Sequence, residues 1–183
     1  SGRLAVNGLF PDQTSRSQIA YVLQDDVHIS CLTVRETVSY AVQLRCGLRR
    51  GSREELERVD RLLHMLDLKN CADVIVGSSL EKGISGGQLR RLSIAVEIVL
   101  LPQLICLDEP TSGLDSTTAL EVVRLLKTFS IGSHSGGNES VSFPCTILCT
   151  IHQPSPQQFT LFDRLILFAP GGVLIYEGSI EDA

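Results

Sequence analysis

Apolar and polar positions change rhythm along this chain in a regular way. Short apolar runs that suit buried strands are Ile19-Ala20-Tyr21-Val22-Leu23-Gln24, Leu104-Ile105-Cys106-Leu107 and Thr146-Ile147-Leu148-Cys149-Thr150-Ile151. Between them lie longer segments whose apolar residues recur at helical spacing. Thr33 with Glu36, and Ser52 with Glu55, have the spacing of a capping box. They precede helical faces built from Val34, Val38, Ala41, Val42 and Arg45, and from Leu56, Val59, Leu62, Leu63 and Leu66. Two helices in succession predict a helical subdomain over about residues 33–90. Ser85 is a good N-cap for a third helix. Asp115 or Ser116 caps a fourth, which carries Leu120, Val123, Leu125 and Leu126. Pro154 and Pro156 predict a loop ahead of a short helix at Gln157 to Phe162. The runs Arg164 to Phe168 and Gly172 to Tyr176, joined at Pro170-Gly171-Gly172, read as a hairpin, and Ser1 to Gly8 reads as a strand entering an Asn-Gly turn. Strand, helix, strand, helix, strand predicts an α/β fold: a parallel sheet flanked by helices, with a C-terminal β-hairpin.

Composition narrows this picture. A chain of 183 residues, 43% hydrophobic, fits a single domain with its own core. Its net charge of −5 argues against nucleic acid as a partner. The most apolar region, Leu92 to Leu107, is interrupted by Glu97 and Pro102 and falls short of a membrane span. Six scattered cysteines show no zinc-site spacing and read as reduced thiols, including Cys145 and Cys149, which lie four apart. The basic cluster Arg45, Arg49, Arg50 and Arg53 reads as a solvated, charge-paired surface, and Ser130 to Ser142, rich in Ser and Gly, as a flexible insertion.

Candidate chemistry concentrates in two stretches. In Ile84-Ser85-Gly86-Gly87-Gln88-Leu89-Arg90-Arg91 a capped helix start and two glycines offer backbone N–H groups to an anion. In Leu104-Ile105-Cys106-Leu107-Asp108-Glu109-Pro110 an apolar strand ends in two carboxylates, at the edge where open α/β sheets bind ligands. Gln24 and His152 also stand at strand ends. Each residue has a dull explanation alone; their order and placement together point to one site.

With those residues in view, the chain resembles the nucleotide-binding domain of an ATP-binding-cassette (ABC) transporter, with a P-loop NTPase-type core. Ile84-Ser85-Gly86-Gly87-Gln88 is similar to the family signature, Leu104 to Glu109 to the Walker B strand, and Ser112-Gly113-Leu114-Asp115 to the D-loop. Gln24 matches the Q-loop and His152 the switch histidine. Tyr21 to Asp26, Leu32 to Thr37, Ile151-His152-Gln153-Pro154-Ser155 and Leu161 to Arg164 resemble the G subfamily, the white and pleiotropic-drug type. The resemblance implies a domain on the cytoplasmic side of a membrane that binds ATP with Mg²⁺ and hydrolyses it to drive transport. It implies that Asp108 and Gln24 contact the metal, that Glu109 is the general base, and that His152 holds the γ-phosphate. It also implies two such domains paired head to tail, so that Ser85, Gly86, Gly87 and Gln88 serve the partner's nucleotide and Asp115, also counted as nucleotide-binding, links the two sites across the dimer. A transmembrane domain of the same or another chain is the further partner implied.

Two departures matter. No Gly-x-x-x-x-Gly-Lys-[Ser/Thr] loop occurs in the sequence; the chain reads as a partial ABC domain, with the expectation that it binds ATP poorly as it stands. Gln88 stands where the G subfamily often has Glu. The rival readings are a soluble ABC-class ATPase of translation or DNA repair, and a non-hydrolysing regulatory subunit that completes a partner's site.

Overall fold

A computed structural model describes residues 18–78, 81–132 and 145–182. The elements run β1 (Ile19–Val22), α1 (Val34–Cys46), α2 (Arg53–Met65), α3 (Gly86–Glu97), β2 (Leu104–Leu107), α4 (Ser116–Ile131), β3 (Thr146–Cys149), α5 (Pro156–Phe159), β4 (Arg164–Ala169) and β5 (Val173–Ser179). Short 3₁₀ turns follow α2, α3 and β5. Among the described residues the parallel sheet has the order β1-β2-β3, and β4 and β5 pair separately as an antiparallel hairpin. A shared register, Val22 opposite Leu107 opposite Cys149, brings the carboxyl ends of all three parallel strands to one edge.

The helix starts follow the capping chemistry. Thr33 closes a full capping box on Glu36, and Ser85 closes one on Gln88. Asp115 rather than Ser116 caps α4, accepting from the N–H groups of Thr117 and Thr118. At α2 the box is only half made. Ser52 accepts from Glu55 N–H, but the Glu55 carboxylate turns inward instead, takes the Ser39 hydroxyl and the Gln43 amide, and accepts from Gly51 N–H. Glu55 is thereby 2% exposed and pins α2 to α1. Pro156 belongs to α5 instead of preceding it: it occupies the first helical turn behind Ser155, where a missing N–H costs nothing.

One apolar core joins helices and sheet. Val34, Val38 and Val42 of α1, Val59, Leu62 and Leu63 of α2, and Leu92, Ile94 and Ala95 of α3 meet Ala20, Val22, Ile105 and Leu107 of the sheet. The segment before α3 is laced along the start of α1, with Val76 N–H on Leu32 O and Gly77 N–H on Ser30 O. There the chain crosses itself so closely that a Cβ on Gly83 would lie 2.0 Å from the Val76 carbonyl oxygen. Only glycine fits, and the crossing fixes where α3 begins.

The strands expected at Ile19 to Gln24 and Thr146 to Ile151 end at Val22 and Cys149, so the polar residues after each belong to the loops. Of the insertion expected at Ser130 to Ser142, Ser130 and Ile131 finish α4, and Gly132 caps it in the left-handed region. Residues 133–142 and the strand expected at Ser1 to Gly8 lie outside the described residues. All six cysteines are free thiols.

Candidate functional site

Each parallel strand delivers polar residues to the same edge. Gln24 follows β1, Asp108 and Glu109 follow β2, and Thr150 and His152 follow β3. Backbone bonds continue the ladder beyond the strands, from Asp108 N–H to Val22 O (2.9 Å) and from Thr150 N–H to Leu107 O (3.1 Å).

On that edge the side chains form one network. Gln24 Nε2 donates to Glu109 Oε2 at 2.9 Å. The Thr150 hydroxyl donates to Asp108 Oδ1 at 2.6 Å, and its oxygen accepts from Glu109 N–H at 2.9 Å. Thr150 therefore staples the turn that carries both carboxylates. The turn needs it: Glu109 has φ of 43° and Gln153, beside His152, has φ of 49°. A non-glycine residue held there costs about 1–3 kcal/mol and persists only where its surroundings fix it. Glu109 and His152 line an open cleft of about 400 Å³, together with Ser112, Leu114, Gln153 and Ser155.

The donor set has the chemistry of a hard cation site. With Gln24 Nε2 committed to Glu109, the amide oxygen remains an acceptor, and Asp108 keeps a second carboxylate oxygen beyond the one bound by Thr150. One or two carboxylates with neutral oxygens suit Mg²⁺, which keeps waters and phosphate oxygens in its shell. Among the described residues no cluster of three or more His, Cys, Asp or Glu side chains is assembled into a metal site.

The second group of expected residues borders this cleft without forming its lining. At the start of α3, Ser85 and Gly86 are exposed while Gly87 is buried. Gln88 accepts from Ser85 N–H and so completes the cap. Gly86 faces Leu114, and Gly87 packs so tightly on α4 that a Cβ would lie 2.2 Å from Thr118 Cγ2. Asp115 is at the other side of that seam. Its carboxyl is held below the ordinary range by the Thr118 hydroxyl, then by the N–H groups of Thr118 and Thr117. Thus Gln24, Asp108, Glu109 and His152 gather at the sheet edge, whereas Ser85 to Gln88 and Asp115 form a seam between two helix starts.

Sequence reasoning missed Thr150 and Arg90. Thr150 hides in an apolar run, and its only signal is a hydroxyl at the end of a strand. Arg90 hides in a basic pair, although it falls on the buried stripe Gly87, Arg90, Ile94, Ile98; it is 3% exposed.

Comparison with known proteins bears on this arrangement. The family model described as ABC transporter matches residues 2–112. The chain is 41% identical over its whole length to ABC transporter G family member 11 of Arabidopsis thaliana, and 40% identical to G family member 13. It is also 40% identical over its whole length to the ABC multidrug transporter SNQ2 of Candida glabrata. It spans 24%, 25% and 11% of those relatives respectively, well under half of each. The solved structure of cbiO1 from Clostridium perfringens, part of the ABC transporter complex cbiONQ, shares the fold: TM-score 0.75 at 23% identity, covering 100% of this chain and 67% of that one. A family model that takes in more than half of the residues, among them the carboxylate-ended strand and the glycine-opened helix, settles the affiliation: this chain belongs to the ABC transporter family.

Proposed function

We propose that this chain is part of an ATP-binding and ATP-hydrolysing domain that powers substrate transport across a membrane. The observation that carries the reading is the network in which Gln24 and Thr150, from different strands, hold Glu109 beside Asp108 at the mouth of the His152 cleft. Such an arrangement orients a carboxylate toward a water molecule. With one Glu109 oxygen bound by Gln24, the other is available to take the water's proton as the water attacks the γ-phosphorus and the bond to the β–γ bridging oxygen breaks, releasing ADP and phosphate. Asp108, anchored by Thr150, would hold Mg²⁺ with the Gln24 amide oxygen; the metal neutralises charge on the phosphates when bound. His152, exposed on the cleft wall, would donate a hydrogen bond to the γ-phosphate.

Ser85, Gly86, Gly87 and Gln88 lie outside the cleft, and their exposed helix start suits a phosphate brought by a second domain. That supports a head-to-tail pair in which Asp115 stands at the junction. No helix among the described residues is long and apolar enough to cross a membrane. In this reading, which rests on the family, the translocation path belongs to a transmembrane partner or segment and this domain lies on its cytoplasmic side. The 183 residues contain no Gly-x-x-x-x-Gly-Lys-[Ser/Thr] loop, and the chain alone binds ATP weakly and does not turn it over.

The test is phosphate release from Mg-ATP by the full-length protein that carries this domain. Wild type turns over, and Glu109→Gln lowers kcat by at least about 100-fold. Equal rates would reject the assignment, and no turnover by either would favour a non-hydrolysing subunit.

A further inference from the structure

Helix α3 carries a charged side chain in the middle of its buried stripe. Arg90 Nη1 donates to the Leu23 carbonyl at 2.8 Å, Nη2 donates to the Gln24 carbonyl at 2.5 Å, and Nη1 lies 3.2 Å from Asp26 Oδ1. The side chains of Arg90 and Asp26 are 3% and 14% exposed. Burying a guanidinium is costly unless its donors are matched. Here the oxygens that meet Nη1 and Nη2 all come from one segment, residues 23–26, while Nε has no hydrogen-bond partner among the described residues. One turn further along the same helical face, Ser93 Oγ lies 2.7 Å from His28 Nε2. Helix α3 thus grips residues 23–28 at two points, and that segment presents Gln24 to Glu109. The first turn of the same helix is Ser85 to Gln88.

We propose that Arg90 is a positioning residue for hydrolysis. By holding the carbonyl of Gln24 it fixes the Gln24 amide on Glu109, so that the placement of α3 governs whether the hydrolytic carboxylate is oriented. A structural reading predicts only that loss of Arg90 loosens the packing of α3 on the sheet. The two readings differ in whether the effect passes through the Gln24 side chain. The proposal rests on the hydrolytic role given to Glu109 above.

A double-mutant cycle in the full-length protein separates them. Arg90→Lys keeps the charge but cannot reach both carbonyls with a fork of donors. It lowers kcat for Mg-ATP about tenfold, the worth of one charge-assisted hydrogen bond, and leaves KM within about twofold. In a Gln24→Ala background the same change has no further effect on kcat, because its route is already cut. A wild-type kcat for Arg90→Lys, or an equal loss with and without Gln24, overturns the proposal. Should Arg90→Lys fail to fold, Asp26→Asn weakens the seat of the guanidinium and enters the same cycle: a loss that vanishes with Gln24→Ala supports the proposal, and an additive one overturns it. Glu109→Gln run alongside separates the two levels. Full turnover in that variant rejects the hydrolytic reading itself, whereas an inactive Glu109→Gln beside a fully active Arg90→Lys rejects only the role of Arg90.

Discussion

Replacing Gly87 by alanine puts a methyl group where the first turns of α3 and α4 touch. The added Cβ would lie 2.2 Å from Thr118 Cγ2 and 3.7 Å from Thr118 Cβ, so the whole conflict is with one methyl group. Thr118 could swing that methyl aside by rotating about χ1, but rotation takes its hydroxyl off Asp115 Oδ2, a 2.6 Å bond. Overpacking costs about 1–3 kcal/mol and the lost hydrogen bond about 1 kcal/mol. Gly87 is the second residue of α3, so alanine gains little of the about 1 kcal/mol by which it outdoes glycine in a helix interior. Since the protein adopts the cheaper of overpacking and rotation, the net destabilisation is about 1 kcal/mol, or about 2–4 °C in Tm for a chain of this size. Thr118→Ser removes the offending methyl and keeps the hydroxyl on Asp115. The double variant Gly87→Ala/Thr118→Ser therefore recovers at least half of the loss in urea or thermal unfolding. Recovery is the decisive feature, because a general intolerance of alanine at this position predicts none. If Gly87→Ala is neutral, or if Thr118→Ser deepens its cost, the close packing of the two helix starts is refuted.

Other outcomes follow from individual contacts. Thr150→Val removes the hydroxyl that binds both Asp108 and Glu109 N–H; kcat for ATP in the full-length protein falls about 10- to 100-fold, while Thr150→Ser retains most of it, and equal rates in all three contradict the staple. Burial pushes the Cys145 and Cys149 thiols up to about 11, leaving on the order of one thiolate in three thousand at pH 7.5. Iodoacetamide thus labels exposed Cys31 in the native chain, and Cys145 and Cys149 only after urea unfolding, as mass spectrometry of timed samples would show. Burial also lowers the His28 pKa from its ordinary 6.5, against a partial opposing pull from Asp26. The neutral ring is favoured in the folded state, so the contribution is fully present above pH 6.5 and is lost as pH falls below it toward the folded pKa, with a limiting slope of about 1.4 kcal/mol per pH unit. Urea midpoints between pH 7.5 and 5 carry this loss, and His28→Gln flattens it.

What could be read from the sequence was whatever depends on neighbours in the chain. Thr33, Ser85 and Asp115 cap their helices through bonds spanning two or three residues, so spacing alone locates them. Three short apolar runs sufficed for the parallel sheet, because buried strands need little else. Glu55 shows where local logic fails. Its spacing from Ser52 matches that of Glu36 from Thr33, yet Ser39 and Gln43 on another helix compete for the carboxylate and win. Thr150 and Arg90 fail for the same reason at longer range. The partners of Thr150 lie 41 and 42 residues away, those of Arg90 66 and 67, and no local pattern encodes either. The glycines divide in the same way. A Cβ on exposed Gly86 would meet only Leu114 at an ordinary 3.5 Å, but the absent side chain at Gly87 answers to Thr118, a residue that only the folded structure brings near.

The most direct test of the central claim is the identity of the nucleotide retained by the full-length Glu109→Gln protein. After incubation with radiolabelled Mg-ATP and rapid gel filtration, thin-layer chromatography of the bound fraction reads out ATP against ADP. If Glu109, held by Gln24 and Thr150, is the base that activates water, the variant retains intact ATP while wild type yields ADP. Bound ADP from Glu109→Gln in the same proportion as from wild type would contradict the account.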